Sequence, residues 1–199
     1  MKTLRFALAP ALALILAAPA FADAVPLKEI SRYLNAMQTA EADFTQVNAD
    51  GTISTGTLFI KRPGRVRFEY APPDKTLVMA GGGQVAIFDP KSNTGPEQYP
   101  LSKTPLSLIL ADKVDLERAR MVTDHREDGA KTIVTAQDPE HPEYGNIQLV
   151  FTAAPTQLRQ WVISDEGGSK TTVILGDLRE GVELGSAMFS IQNEIIARE

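Results

Sequence analysis

The chain has 199 residues, a formal net charge of −5 and no cysteine. This length favours one domain or at most two, and the lack of cysteine excludes disulfide bonds, thiolate metal sites and thiol catalysis. The acidic balance makes nucleic acid and anionic membrane surfaces poor partners for the body of the protein.

The first 22 residues have the pattern of a secretory signal peptide. Lys2 and Arg5 give a positive start, residues 6–18 are almost wholly apolar, and Ala20-Phe21-Ala22 is a small-residue cleavage signal. The apolar stretch is shorter than the ~20 residues of a membrane-spanning helix. Removal of residues 1–22 takes away two basic residues and no acidic one, so the formal net charge changes from −5 to −7. We therefore predict export to the periplasm, one domain over residues 23–199, and a monomer.

After the leader, the pattern predicts one helix and then a series of strands. A helix over residues 26–39 is indicated by Leu27, Ile30, Leu34 and Met37, which follow the spacing of one apolar stripe. Short segments bounded by turn residues then favour an antiparallel meander. The predicted strands are 42–49, 55–62, 65–71, 75–80 and 84–89.

The regular spacing of strands stops at Asp89-Pro90. Four prolines between residues 90 and 105 predict a loop, and Thr104-Pro105 then fits the start of a short apolar helix that ends at Ala111. The C-terminal end is predicted as a strand around 188–192 with a frayed tail. Further strands are predicted over 118–125, 131–137, 147–152, 157–164 and 170–178. A sheet of some ten strands tends to curl or close.

The hairpin around Lys61-Arg62-Pro63-Gly64-Arg65 combines a basic turn with an apolar strand face. Past the turn, Val66, Phe68 and Tyr70 alternate with Arg65, Arg67 and Glu69. Leu58 and Ile60, and Leu77 and Met79, give similar pairs on neighbouring strands. Two interpretations stay open: an ordinary packed core, or a curled sheet whose concave face holds an apolar guest beneath two helices.

Signals of catalysis or of a metal site are weak. The sequence has no nucleophile elbow, zinc-protease motif or phosphate loop, and Gly81-Gly82-Gly83 is read as a hairpin turn between two strands. His125 and His141 have carboxylates nearby, but both are expected in solvated loops or strand ends. We predict no catalytic residue, no metal and no cofactor.

The order of several short motifs resembles the LolA family of periplasmic carriers of outer-membrane lipoproteins. The match spans nearly the whole mature chain and is densest over residues 42–110. The motifs are Ala42-Asp43-Phe44-Thr45-Gln46, Gly56-x-Leu58 leading to Lys61-Arg62-Pro63, then Pro73, Phe88-Asp89-Pro90, and Thr104-Pro105 before an apolar helix.

This resemblance implies a mainly β (α+β) fold, an unclosed β-barrel with a helical lid over an apolar cavity. It implies that acyl chains of lipoproteins enter the cavity, coming from an inner-membrane ABC transporter and passing to an outer-membrane receptor. It also implies that Arg62 holds the lid of the empty carrier closed, since guanidinium has several donors. The expected cavity residues are Phe44, Leu58, Ile60, Val66, Phe68, Tyr70, Leu77 and Met79, and the expected lid residues are Leu27, Ile30, Leu34, Leu106, Ile109 and Leu110.

Other interpretations remain open beside this resemblance. Arg65 and Arg67 are expected on the outer face, where they meet water unless an acidic partner is present. The alternative functions are a dedicated carrier or sensor of another periplasmic lipid or glycolipid on the same fold, an uncharacterised periplasmic hydrolase, and a structural β-domain that binds no lipid. Activity that requires His125 or His141 would favour the hydrolase.

Overall fold

The computed structural model describes residues 23–92, 94–118 and 120–198, so the predicted signal peptide, residues 1–22, lies outside the described part. Its main element is one antiparallel sheet of twelve strands. The strands are β1 Thr39–Val47, β2 Ile53–Lys61, β3 Arg65–Tyr70, β4 Leu77–Gly81, β5 Gln84–Phe88, β6 Glu97–Pro100, β7 Val122–Asp128, β8 Lys131–Gln137, β9 Asn146–Ala153, β10 Thr156–Ser164, β11 Lys170–Leu175 and β12 Arg179–Glu180.

Within the described ranges, three α-helices and three 3-10 turns accompany the sheet. The helices are α1 Leu27–Ala36, α2 Ser107–Leu110 and α3 Ile191–Arg198, and the 3-10 turns are Leu101–Lys103, Pro142–Tyr144 and Ser186–Phe189. None of the helices in the described part of the chain combines the length and the apolar character that crossing a membrane requires.

The sheet curls into an unclosed barrel. Its strand order is β6-β5-β4-β3-β2-β1-β11-β10-β9-β8-β7, with β12 paired to β1, and within the described residues the end strands β6 and β7 do not pair with each other. Phe68 on β3 and Trp161 on β10 are four strands apart in this order, yet their ring centroids are 6.2 Å apart. Strands in a flat sheet are about 4.8 Å apart, so this contact requires strong curvature.

The two faces of the sheet have different covers. The inner face packs α1, α2 and residues from both ends of the sheet into one large apolar cluster. The outer face of β4 and β5 carries a small separate cluster, against which Ile191 and Ile195 of α3 pack. Alternation of side chains along β4 and β5 produces this separation, because neighbouring residues point to opposite faces.

Most of the predicted strands are confirmed, and β8 has the predicted bounds. The loop predicted over residues 90–105 is wrong in part, because Glu97–Pro100 forms β6 against β5. Pro100 is tolerated there since β6 is an edge strand and needs donors on one side only. The strand predicted at 118–125 begins later, at Val122.

The strand predicted around residues 188–192 is wrong. The chain instead forms the 3-10 turn Ser186–Phe189 and then the helix α3. Ile191 and Ile195 are four residues apart, which places both on one side of a helix facing the outer cluster. Gly81 on β4 permits the close approach of this segment, since a Cβ there would lie 2.1 Å from the carbonyl oxygen of Phe189.

Candidate functional site: the apolar inner face and its lid

The register of β1, β2 and β3 brings most of the predicted cavity residues together on the inner face. Leu58 lies opposite Phe68, and Ile60 lies opposite Val66. The ring of Phe44 meets Phe68 and Tyr70 edge-on, with centroids 5.4 Å and 5.1 Å apart. All six predicted residues on these strands pack into the main apolar cluster: Phe44, Leu58, Ile60, Val66, Phe68 and Tyr70.

Leu77 and Met79, which were predicted to line the cavity, lie on the opposite face. Val78 is the residue opposite Phe68, so its neighbours Leu77 and Met79 point outward. They form the outer cluster with Ala86 and Phe88. A shift of one residue along a strand moves every side chain to the opposite face of the sheet. Because Leu77, Val78, Met79 and Ala80 are all apolar, the sequence does not show which of them face inward.

A cavity of about 270 Å³ remains open between the inner face of the sheet and the lid. Phe68 and Tyr70 are the two predicted cavity residues that border it, together with Val78, Trp161 and the lid residue Leu106. Leu58, Ile60 and Val66 do not border this cavity and are almost completely buried in the main cluster. Most of the predicted cavity wall is therefore covered by the protein's own side chains.

The wall of the cavity combines aromatic rings with polar side chains such as Gln46 and Thr104. The hydroxyl of Tyr70 donates a hydrogen bond to Oε1 of Gln46, 2.7 Å away. Burial raises the pKa of Tyr70 to about 12, although the hydrogen bond to Gln46 opposes this shift. Tyr70 is consequently neutral at physiological pH, and it presents its ring to the cavity.

The lid consists of α1 and of residues 101–116, which we call the lid segment. Ile30 and Leu34 of α1 and Ile109 and Leu110 of α2 are buried in the main cluster. Leu27 and Leu106 are partly buried and pack against the same cluster. The structure thus brings all six predicted lid residues onto the inner face.

Arg62 lies beneath the lid segment and is only 4 % exposed. Its Nη2 donates to the carbonyl oxygen of Ala111 at 2.5 Å and lies 3.4 Å from Oδ1 of Asn35. The neighbouring carbonyl of Leu110 accepts from the backbone N–H of Gly64 at 2.8 Å. Burial lowers the pKa of Arg62, and the negative charge of Asp112 opposes that shift. Among the described residues, Nε and Nη1 of Arg62 have no hydrogen-bond partner.

Sequence reasoning missed two polar residues of α1 that hold the lid segment. Asn35 and Ser31 are one helical turn apart and border the apolar stripe of Ile30 and Leu34. Both form hydrogen bonds to residues 114–116. The signal in the sequence was the pair of small polar residues, four positions apart, beside the apolar stripe of the helix.

Arg67 is not solvated, contrary to prediction. Its side chain is 13 % exposed, and it hydrogen-bonds to Glu69 at 2.6 Å, to Glu194 at 2.9 Å and to the carbonyl of Met188 at 3.1 Å. Arg65 is half-buried on the same strand. The outer side of the hairpin therefore binds the C-terminal segment, which Lys61 also contacts through the carbonyl of Leu184.

The two histidines have separate roles in the structure. Nε2 of His125 lies 2.9 Å from the carbonyl oxygen of Val25, near the start of the described chain. Nδ1 of His141 lies 3.0 Å from Oε1 of Glu143, and its ring stacks on Tyr144. Over residues 23–92, 94–118 and 120–198, no group of three or more His, Cys, Asp or Glu side chains is arranged to hold a metal ion.

These elements define an unclosed antiparallel barrel whose apolar inner face is covered by two helices. A family model described as "Outer membrane lipoprotein carrier protein LolA" matches residues 35–192, and the chain belongs to this family. The resemblance predicted from the motifs is thereby confirmed.

Individual relatives carry the same description at low identity. An outer-membrane lipoprotein carrier protein of Methylococcus capsulatus is 26% identical over 177 residues, which cover 84% of each chain. One of Azotobacter vinelandii is 24% identical over 200 residues, covering 96% of this chain and 95% of the relative. A solved LolA superfamily protein from Nitrosomonas europaea has 9% identity and a TM-score of 0.43, covering 84% of this chain and 98% of its own.

Proposed function

We propose that this protein is a periplasmic carrier that shields the acyl chains of lipoproteins and delivers them to the outer membrane. The observation that carries the proposal is the continuous apolar inner face of an unclosed sheet, covered by α1 and the lid segment. The family and the relatives' names support lipoproteins as the cargo. The action is binding and transfer, without a catalytic step.

The physical need for such a carrier follows from the hydrophobic effect. Exposing each buried CH₂ group to water costs about 0.8 kcal/mol, so one long acyl chain corresponds to on the order of 10 kcal/mol. Free diffusion of an anchor with two or three chains through an aqueous compartment is therefore excluded. A soluble protein with an apolar interior offsets this cost.

The closed structure is the empty state of this carrier. Its cavity of about 270 Å³ lies below the roughly 300–1,000 Å³ of ordinary small-molecule sites. Two or three acyl chains therefore require that α2 move away from the inner face and uncover residues such as Leu58 and Ile60. Those residues become cavity residues on loading.

The donor and the acceptor of the cargo belong to this proposal as well. We place the carrier between an inner-membrane ABC transporter that releases lipoproteins and an outer-membrane receptor that accepts them. Residues 1–22 act as the export signal. Because the carrier is stabilised by its cargo, transfer requires that the loaded state be less stable than the receptor complex.

Native mass spectrometry of the mature protein, purified from a periplasm, tests the function. We expect a fraction that carries a stoichiometric acylated guest, which lipid extraction then identifies. An empty mass that also fails to bind an added lipoprotein or a fluorescent fatty-acyl probe would contradict the carrier function, and a structural or enzymatic role would replace it.

Arg62→Leu is expected to leave loading intact and to impair hand-off. In the loaded state Arg62 loses the Ala111 carbonyl and faces acyl chains, whereas leucine suffers no such loss. A hydrogen bond from a charged group contributes about 1.5–3 kcal/mol, so release should slow by at least about tenfold. The measurement is the transfer rate of a lipoprotein from loaded carrier to outer-membrane vesicles.

Arg65→Leu is the matched control, because Arg65 lies in the same hairpin and on its outer side. Its transfer rate should stay close to that of the wild type. Normal transfer by Arg62→Leu would show that Arg62 does not control release.

A further inference from the structure

The return part of the lid segment, residues 114–116, is attached to α1 rather than to the sheet. Nδ2 of Asn35 donates to the carbonyl oxygen of Val114 at 2.7 Å, and the backbone N–H of Val114 donates to Oδ1 of Asn35 at 2.9 Å. One turn earlier on α1, Oγ of Ser31 accepts from the N–H of Leu116 at 2.9 Å. Val114 and Leu116 are both buried in the main cluster.

The α2 part of the lid segment is attached differently. The carbonyls of Leu110 and Ala111, at its end, accept from Gly64 and Arg62 of the β2–β3 turn. Between the two attachments lie Asp112 and Lys113, which are exposed. The start of the lid segment is held as well, because the N–H of Leu101 donates to the carbonyl oxygen of Gly83 at 2.9 Å and Leu101 is buried in the main cluster. The α2 part thus lies between a held residue, Leu101, and an exposed two-residue link that leads to the held residues 114–116.

The two attachments are made by different kinds of side chain. Val114 and Leu116 are held by neutral side chains of a helix whose own apolar stripe stays buried. The α2 part is held by a guanidinium whose Nε and Nη1 find no partner among the described residues. A buried group with unpaired donors gives the closed lid less stability than its single short hydrogen bond suggests.

We infer that Asn35 and Ser31 are positioning residues that fix residues 114–116 to α1, so that the lid opens by movement of residues 102–111 between the held Leu101 and the link at 112–113. In this motion α1 and residues 114–116 stay on the sheet, and only the α2 part leaves the inner face. The use of this hinge for loading rests on the proposed function, whereas the hinge itself is a property of the empty protein. Asn35 also keeps its Oδ1 near Arg62 after the Ala111 carbonyl has moved away.

Three backbone amides report on the hinge separately. The N–H of Gly64 is protected by Leu110, that of Val114 by Asn35, and that of Leu116 by Ser31. Amide hydrogen exchange measures the opening of each contact on its own. The exchange rates are compared in the empty wild type, Arg62→Leu, Asn35→Ala and Ser31→Ala, with Lys28→Ala as an exposed control on α1.

Arg62→Leu should raise the exchange rate of Gly64 by up to about tenfold and leave Val114 and Leu116 close to wild type. Asn35→Ala should raise the rate of Val114, and Ser31→Ala that of Leu116, while the amides of β10 keep their protection. Lys28→Ala should change none of them. This site-by-site response separates loss of a specific contact from general destabilisation, which would raise all the rates together.

Two results would overturn the hinge. If Arg62→Leu raises the rates of Gly64, Val114 and Leu116 together, the lid segment moves as one body. If it raises none of them, residues 102–111 are not the moving part. Adding a fluorescent fatty-acyl probe to the wild type extends the test, since loading should release Gly64 alone. Failure of the probe to bind would count against the carrier function, while the empty-state rates still decide the hinge.

Discussion

Trp161→Ala is expected to lower the free energy of unfolding by about 3–5 kcal/mol, as large aromatic truncations in cores do. Trp161 is 1 % exposed, and its ring meets that of Phe68 edge-on across the barrel. The contact joins two strands that are far apart in the sheet order, so its loss weakens the curvature itself. Urea unfolding of the empty protein measures the change.

The same substitution enlarges the cavity, because Trp161 forms part of its wall. A fluorescent fatty-acyl probe should therefore recover more of the lost stability in Trp161→Ala than it adds to the wild type. Binding to the folded state alone raises stability in proportion to the logarithm of ligand concentration over Kd. The expected result is a larger probe-dependent shift of the urea midpoint for the variant.

Phe151→Ala is the matched control for this prediction. Phe151 is equally buried, and it packs edge-on against Tyr33 of α1 rather than on the cavity. Its truncation should cost a similar free energy, about 3–5 kcal/mol, without the extra recovery by the probe. Equal recovery in both variants would mean that the probe does not enter the cavity beside Trp161.

The inner face of β2 and β3 could be predicted because polar and apolar residues alternate there. Val66, Phe68 and Tyr70 are separated by charged residues, and only one face can then be buried. In β4 every residue from Leu77 to Ala80 is apolar, so periodicity carries no information about which face is inside. The pairing of Val78 with Phe68 decides it, and that pairing exists only in the folded sheet.

The attachments of the lid could be predicted only in part. Arg62 was reached through the motif Lys61-Arg62-Pro63, whereas Asn35 contacts a backbone group 79 positions away in sequence. The four-residue spacing of Ser31 and Asn35 places two polar residues beside the apolar stripe, but it does not identify the distant backbone groups that they bind. The C-terminal helix had a usable signal in Ile191 and Ile195, but the prediction assigned this stretch to a strand and a frayed tail.

The basic hairpin of β2 and β3 binds a different segment on each face of the sheet. On the inner side, Arg62 and Gly64 hold the end of α2. On the outer side, Lys61 and Arg67 hold the C-terminal segment over the small cluster of Leu77, Met79, Ala86 and Phe88. The cluster of basic residues is therefore used for two attachments within the chain, and most of its charge is not presented to an external partner.

Arg67→Met is expected to destabilise the C-terminal segment by about 1.5–3 kcal/mol, the contribution of a hydrogen bond to a charged group. Methionine keeps much of the apolar part of the arginine side chain. Glu194, whose side chain is 19 % exposed, is then left with Arg198 as its ion-pair partner. Amide exchange in α3 should rise sharply, and that of β1 should not. Arg65→Met, on the same face, is the control and should leave α3 protected.

The same ion pair predicts how the attachment depends on pH. Burial raises the pKa of Glu194, but hydrogen bonds from Arg67 and Arg198 outweigh burial and hold it below its ordinary value of 4.5. The folded-state pKa is thus depressed, so the stabilisation is complete above the ordinary value and is lost as the pH falls through the folded-state pKa. Glu194→Gln removes this titration, so α3 exchange in the variant, corrected for intrinsic rates, should change less than wild type on acidification below pH 4.5. Identical pH profiles would show that Glu194 does not hold the segment, and the apolar contacts of Ile191 and Ile195 would then account for its attachment.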